Sequence, residues 1–172
     1  MKFATLVIAG SLLAWSSAAS AQQINDAQIA SIVVTANQVD IDAGKLAASQ
    51  STNSEVKNFG QQMVEAHTGV NKSATELVTK LKVKPEENET SHALKANGAD
   101  TLKRLKALKG KEFDKAYVDN EVTYHETVLD ALDKTLIPNA SNEELKSLLV
   151  KVRPAFVAHL DHAKHIQATL AH

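Results

Sequence analysis

The chain has 172 residues and a formal net charge of −1, with 19 lysines and arginines against 20 aspartates and glutamates. Charges of both signs are interspersed and aromatic residues are few, which disfavours nucleic acid as a partner. The sequence has no cysteine, so disulfides are excluded and stability must come from the hydrophobic core.

The first residues have the pattern of a Sec signal peptide. One lysine precedes a short apolar run, and small residues follow up to Ala21. The run is shorter than the roughly 20 residues that a membrane-spanning helix needs, which favours export over anchoring. We therefore expect a signal peptide over residues 1–21 and one soluble helical domain over residues 22–172, with no transmembrane segment after cleavage.

The rest of the chain is predicted to form long helices, because few glycines and prolines interrupt it and no period-2 alternation indicates a strand. Four of the predicted helices repeat apolar residues at alternating steps of three and four, which is typical of a helix with one buried face. A weaker helix occupies the long connection between the second and the third. The predicted ranges are about 25–51, 52–83, 91–108, 111–136 and 141–170.

Local signals indicate the boundaries of these helices. Thr52 and Ser141 each have a glutamate three residues later, so each is expected to open a capping box. The weaker helix is expected to be interrupted at "NGAD", residues 97–100, because glycine and aspartate disfavour a helix interior. A turn is predicted at "IPNAS", residues 137–141.

Four amphipathic helices joined in pairs by short turns predict an all-α four-helix bundle. The first long helix pairs with the second and the third with the fourth, and the connection between the pairs carries the extra short helix. In the first helix, a stripe through Ala36 and Asp40 competes with one through Val39 and Leu46.

In each of the other three long helices, one histidine interrupts the apolar stripe: His67, His125 and His159. A rise of 1.5 Å per residue, counted from the turns, puts Asp40 level with His67 and Glu121 level with His159. We therefore predict that these five residues can converge inside the bundle. In "HLDHAKH", helical phase turns the two other histidines away from the buried face, so His162 is predicted to flank it and His165 to face water.

Carboxylates and imidazoles from several helices are the ligands of iron, manganese and zinc in helical bundles. One interpretation is therefore a divalent transition metal (Fe, Mn or Zn) bound by His67, His125 and His159 with Asp40 or Glu121. In the others, the histidines are hydrogen-bonded core groups or form a pH-responsive structural element. Because the four predicted long helices contain no Glu-x-x-His pair, and the chain has no nucleophile motif or phosphate loop, no enzyme is predicted.

Four sequence blocks resemble the bacterial envelope family known as domain of unknown function 4142: "DIDAGKLA", "SEVKNFGQQMVEAHTGVN", "FDKAYVDNEVTYHETVL" and "VRPAFVAHLDHAK". The resemblance implies an exported, ferritin-like helical bundle without an established activity. The family's recurrent polar positions correspond to Asp40, Asp42, His67, His125 and His159. The aspartate that usually precedes the histidine of the second long helix is Ala66 here.

Bacterial export makes the periplasm the expected location, and outer-membrane association has weaker support. The first hypothesis is a periplasmic binding or stress-related protein whose core polar cluster holds a metal. The second is a purely structural or partner-binding envelope protein with hydrogen-bonded core histidines. The third is a ferritin-like, metal-dependent redox enzyme. The sequence identifies neither a protein partner nor an oligomeric state.

Overall fold

The computed structural model describes residues 24–171, which fold into an all-α bundle as predicted. The predicted signal peptide, residues 1–21, lies outside the described residues. The helices are α1 (Asp26–Gln50), α2 (Ser54–Lys80), α3 (Glu89–Lys106), α4 (Gly110–Ala131), α5 (Ile137–Asn139) and α6 (Glu143–Leu170). A π-helical turn, Leu132–Leu136, joins α4 to α5.

Two helical pairs form the bundle. α1 packs along α2, α4 packs along α6, and α2 contacts α6 to bring the pairs together. α3 packs chiefly against the outer side of the first pair, on α1. Over residues 24–171, none of the helices combines the length and the apolar character that crossing a membrane would require.

The buried faces form two separate apolar clusters, one toward each end of the bundle. The first cluster, near the α1–α2 connection, includes Phe59, Phe113 and Tyr117. The second, near the α5–α6 connection, includes Ile29 and Leu149. Full burial of one such side chain contributes roughly 1.5–3 kcal/mol, so the clusters supply most of the driving force for folding.

The ambiguity in the first long helix is resolved in favour of the stripe through Asp40. Asp40 is buried, whereas Val39 and Leu46 of the competing stripe are half-buried. Val39 lies where α3 crosses α1, so the second face of α1 is also covered. A helix that packs on two sides has apolar residues on two faces, so its sequence does not show one distinct apolar stripe.

The caps of α2 and α6 lie one residue later than the predicted capping boxes. Asn53, not Thr52, accepts hydrogen bonds from the amides of Glu55 and Val56, at 2.9 and 3.2 Å. Asn142 caps α6 in the same way, again one residue after the predicted position. Asparagine is among the strongest N-cap residues, and here it is the polar side chain nearest the free amides.

The predicted interruption at residues 97–100 is wrong, because α3 continues through them without a break. Gly98 is buried against α1, and a β-carbon at this position would come within 2.8 Å of the Val39 side chain. The glycine therefore permits close approach of two helices instead of breaking one.

The third long helix does not end at Leu136, and the "IPNAS" turn is shorter than predicted. α4 passes into the π-helical turn, in which the amide of Ile137 bonds to the carbonyl of Leu132, five residues earlier. Pro138 accounts for the wider turn, because it has no amide hydrogen and its ring would collide with the carbonyl four residues earlier in α-helical geometry. The chain stays helical to the end of α5, so only residues 140–142 form the connection to α6.

We predict that Gly60→Ala lowers the free energy of unfolding by about 1–3 kcal/mol, because α1 and α2 must move apart. A β-carbon on Gly60 would lie 2.8 Å from the carbonyl oxygen of Gly44 and 2.9 Å from the β-carbon of Ala47. Gly69 in α2 is the matched control, since nothing lies within 4 Å of a β-carbon there. Gly69→Ala should raise stability by about 0.5–1 kcal/mol. Denaturant unfolding followed by circular dichroism measures both, and equal effects would contradict the prediction.

Candidate metal centre

A layer of buried polar side chains separates the two apolar clusters. All four long helices contribute to it, and each member is at most 4% exposed. The structure thus brings together all five residues that helical phase and depth single out. They are Asp40 from α1, His67 from α2, Glu121 and His125 from α4, and His159 from α6.

Asn37 orients the ring of His67. The Asn37 amide nitrogen donates to the carbonyl oxygen of Val33 at 2.8 Å, so its side-chain oxygen is free to accept. That oxygen lies 2.6 Å from His67 Nδ1, which therefore carries the ring proton. In the neutral ring, Nε2 of His67 is left with its lone pair facing the layer.

The ring of His125 is oriented by its own helix. Its Nδ1 donates to the backbone carbonyl oxygen of Glu121, one turn earlier, at 3.0 Å. Its Nε2 then carries the lone pair and lies 3.6 Å from Oδ2 of Asp40. A hydrogen bond from one ring nitrogen to a carbonyl, with the other nitrogen free, is the usual arrangement of a metal-binding histidine.

Asp40 faces both of these lone pairs. Its Oδ2 lies 2.6 Å from Nε2 of His67, although within residues 24–171 neither atom has a partner with good hydrogen-bond geometry. An ionised carboxylate and the free nitrogen of a neutral imidazole are both acceptors. Two buried acceptors at this distance need a cation or an additional proton to compensate them.

The two carboxyl groups of the layer differ in their affinity for a proton. Burial opposes ionisation of Asp40, but the adjacent imidazoles of His67 and His125 favour its ionised form and hold its pKa below the usual value. Burial raises the pKa of Glu121 well above its usual value, and the negative charge of Asp40 raises it further. The pair therefore favours a single negative charge, carried by Asp40.

His159 completes the group of imidazoles from the opposite helix. Its ring centroid lies 5.3 Å from that of His67 and 5.5 Å from that of His125. Its Nδ1 is buried and has no hydrogen-bond partner within the described part of the chain. Burial and the two neighbouring histidines lower the pKa of His159 to about 4, so the ring is neutral at neutral pH.

The side chain of Phe156 covers the imidazoles on the side of the second apolar cluster. It stacks on His67 with ring centroids 5.0 Å apart and meets His125 edge-on at 6.2 Å. An apolar cover of this kind keeps the local dielectric low, which strengthens any electrostatic interaction within the layer.

A cleft of about 230 Å³ reaches the two carboxylates. It lies between α1, α3 and α4, and Asp40 and Glu121 form part of its wall. Asn97 and Asn120 also line it, so polar side chains accompany the carboxylates on a mainly apolar wall.

Two overlapping sets of three potential ligands have atoms within 4.8 Å of one another. One set is His67, His125 and His159, and the other is Asp40, Glu121 and His125. Two atoms bonded to one ion at about 2.1 Å are at most about 4.2 Å apart, so small side-chain movements would close either set around a metal. His125 belongs to both sets and has one free nitrogen, so only one set can be complete at a time.

Three other positions considered from the sequence lie outside the layer. Asp42 is only partly buried and lies 3.7 Å from Lys45. Nδ1 of half-buried His162 lies 3.1 Å from the side-chain oxygen of Gln62, and His165 is exposed. None of the three is a member of either potential ligand set.

Asn37 is the residue of the candidate site that escapes prediction from the sequence. It lies three positions before Asp40 on the same face of α1, and an asparagine at that spacing within an apolar stretch is the available signal. Ala66 is half-buried beside His67, and the carboxylate that contacts His67 comes from Asp40 instead of from the preceding position.

Comparison with known families agrees with the four sequence blocks. The family model described as "Domain of unknown function (DUF4142)" matches residues 13–166. The chain belongs to the DUF4142 family. The matched range contains the whole polar layer of this DUF4142 protein, which confirms the predicted resemblance. No curated protein and no solved structure matches the chain.

We predict that acidification destabilises the protein through His159. Its folded-state pKa of about 4 lies below the ordinary value of 6.5, so the unfolded chain takes up the proton first. The free energy of unfolding should therefore fall as the pH drops from about 6.5 to about 4, by at most about 1.4 kcal/mol per pKa unit of difference.

Denaturant unfolding of chelator-treated wild type and His159→Gln across this pH range tests this prediction. Most other titrating groups are common to both proteins, so the difference between their stabilities isolates His159. A difference that stays constant with pH would contradict the assignment.

Proposed function

We propose that this DUF4142 protein is an exported, periplasmic helical bundle that binds one divalent transition metal in its core. His67, His125 and His159 would hold the ion, with Asp40 or Glu121 as the carboxylate ligand. The observation that carries the proposal is the short contact between the ionised Asp40 carboxylate and the free nitrogen of His67. A bound cation would compensate both acceptors at once.

The donor set also fits a transition metal chemically. Imidazole nitrogens with a carboxylate suit zinc, iron and manganese, whereas calcium and magnesium prefer oxygen ligands alone. The rings of His67 and His125 already donate their other nitrogen to protein oxygens, at 2.6 and 3.0 Å, so little reorganisation is needed. When bound, such an ion supplies a Lewis acid or, for iron and manganese, a redox couple.

A single ion is proposed, because His125 is common to both potential ligand sets. A two-metal redox centre of the ferritin-like kind would need two complete sets side by side. The cleft that reaches Asp40 and Glu121 supports ion exchange with the surrounding solution. The proposed periplasmic location rests on the predicted signal peptide over residues 1–21.

The contact between His67 and Asp40 also favours a second candidate function, a purely structural or partner-binding envelope protein. If His67 carries a second proton, the two side chains form a buried ion pair and the layer needs no metal. Buried ion pairs seldom add net stability compared with apolar residues, so such a pair would serve specificity of packing. Metal analysis separates the two candidate functions.

We predict that protein purified without a polyhistidine tag contains about one zinc, iron or manganese ion per chain, measured by elemental analysis. His159→Ala should lose this ion, because it removes a ligand, whereas His165→Ala should keep it, because His165 is exposed. Equal effects of the two substitutions, or wild-type protein that takes up no metal, would contradict the proposed site.

Added metal should also stabilise chelator-treated wild type against heat. An ion present at 100 times its dissociation constant adds about 2.7 kcal/mol to the free energy of unfolding, which raises Tm by several degrees for a domain of this size. Asp40→Asn keeps the shape of the carboxylate but removes its charge, so this variant should gain less. If metal raises Tm equally in wild type and His159→Ala, the ion binds elsewhere.

A further inference from the structure

A cavity of about 130 Å³ lies within the second apolar cluster, directly against the imidazole layer. Helices from both pairs line it, and almost all of the surface it presents is carbon. It reaches the protein surface beside Thr90 and Thr127, which are exposed. The ring of His67 forms part of its wall, so any molecule in the cavity contacts the candidate metal centre. Its apolar lining includes Val33, Val128, Leu132, Leu136, Leu149 and Phe156.

Apart from Thr90, which is exposed, the uncharged polar side chains of the cavity wall have few hydrogen bonds to offer a water molecule. Asn37 bonds to Val33 and His67, as described above. The Tyr124 hydroxyl donates to the carbonyl oxygen of Ala36 at 2.7 Å, and the Thr127 hydroxyl donates to its own helix at 2.8 Å. A buried water needs two to four polar partners, so this cavity favours an apolar occupant.

The backbone itself shapes one end of the cavity. Leu132 and Leu136 lie at the two ends of the π-helical turn, and both line the cavity. The wider turn follows from Pro138, so the space does not depend on the rotamer of one flexible side chain. Well-packed interiors leave few voids larger than a water molecule, which makes a retained void of this size informative.

We propose that this cavity is a binding site for a small apolar molecule no larger than benzene. Apolar cavities of about 150 Å³ lined by Leu, Ile and Phe stay dry and bind benzene or xenon, and the volume and lining here are similar. The bound molecule would contact His67 and Phe156, which both line the cavity. The site is formed by the protein alone, so it does not depend on the proposed metal.

The test uses benzene and xenon as probes of chelator-treated, full-length mature protein. Ala131 lines the cavity and is half-buried on α4, so Ala131→Leu should fill the space. Ala116 is half-buried on the same helix but packs on the first apolar cluster, which makes Ala116→Leu the matched control. Calorimetry measures benzene affinity, and NMR locates each probe through shifts of Leu149, Phe156 and His67.

Wild type and Ala116→Leu should bind benzene with similar affinity and shift the same resonances, whereas Ala131→Leu should bind at least tenfold more weakly. Val128→Leu is a second variant that should fill the cavity, and it tests the same loss of benzene affinity if Ala131→Leu does not fold. Wild-type protein that binds neither probe, or filled variants that bind as well as wild type, would overturn the proposal. Failure of metal binding would leave these results unchanged, so the two proposals fail separately.

Discussion

The structure depends on the placement of one buried carboxylate opposite two imidazole nitrogens. Asp40 is held between His67 and His125, whose other ring nitrogens donate to the Asn37 side chain and to a backbone carbonyl. Because the ring protons of His67 and His125 are used in these two hydrogen bonds, neither ring offers a proton to Asp40, and the centre of the bundle lacks positive charge. The hydrogen bonds made by α1 and α4 therefore leave an excess of acceptor atoms at the centre of the bundle. This excess is what would favour a bound cation.

The rest of the fold offsets the cost of this arrangement. Burying unpaired polar atoms costs on the order of 1–3 kcal/mol each, and such atoms are concentrated in the layer. The apolar clusters on either side contain fully buried aromatic and aliphatic side chains from every long helix. The close contact of Gly44 with Gly60 and the cover provided by α3 hold α1 in place, so Asp40 has little freedom to leave the layer.

Helical phase predicts most members of the layer, because burial of a residue on an amphipathic helix depends chiefly on its angle around the helix axis. His67, His125 and His159 follow from that angle, and Asp40 and Glu121 follow from counted depth. The ends of helices are harder to predict than their buried faces, because adjacent polar residues such as Thr52 and Asn53 compete for the same free amides. Two features could not be predicted from the sequence: the position of the ring proton of His67 and the existence of the cavity. Both depend on distances between helices, and the periodicity of one helix carries no information about those distances.

The polar layer also has a consequence for how the helices align along their length. Alternating apolar steps of three and four repeat every seven residues, so sliding α6 along its neighbours by two turns would still place mostly apolar side chains against apolar ones. The same slide would place His159 among aliphatic side chains and leave Asp40 without its neighbours, which is costly for buried polar groups. Apolar packing alone would permit several alignments of the helices along their length, and the polar layer favours one of them. This effect does not require a bound ion.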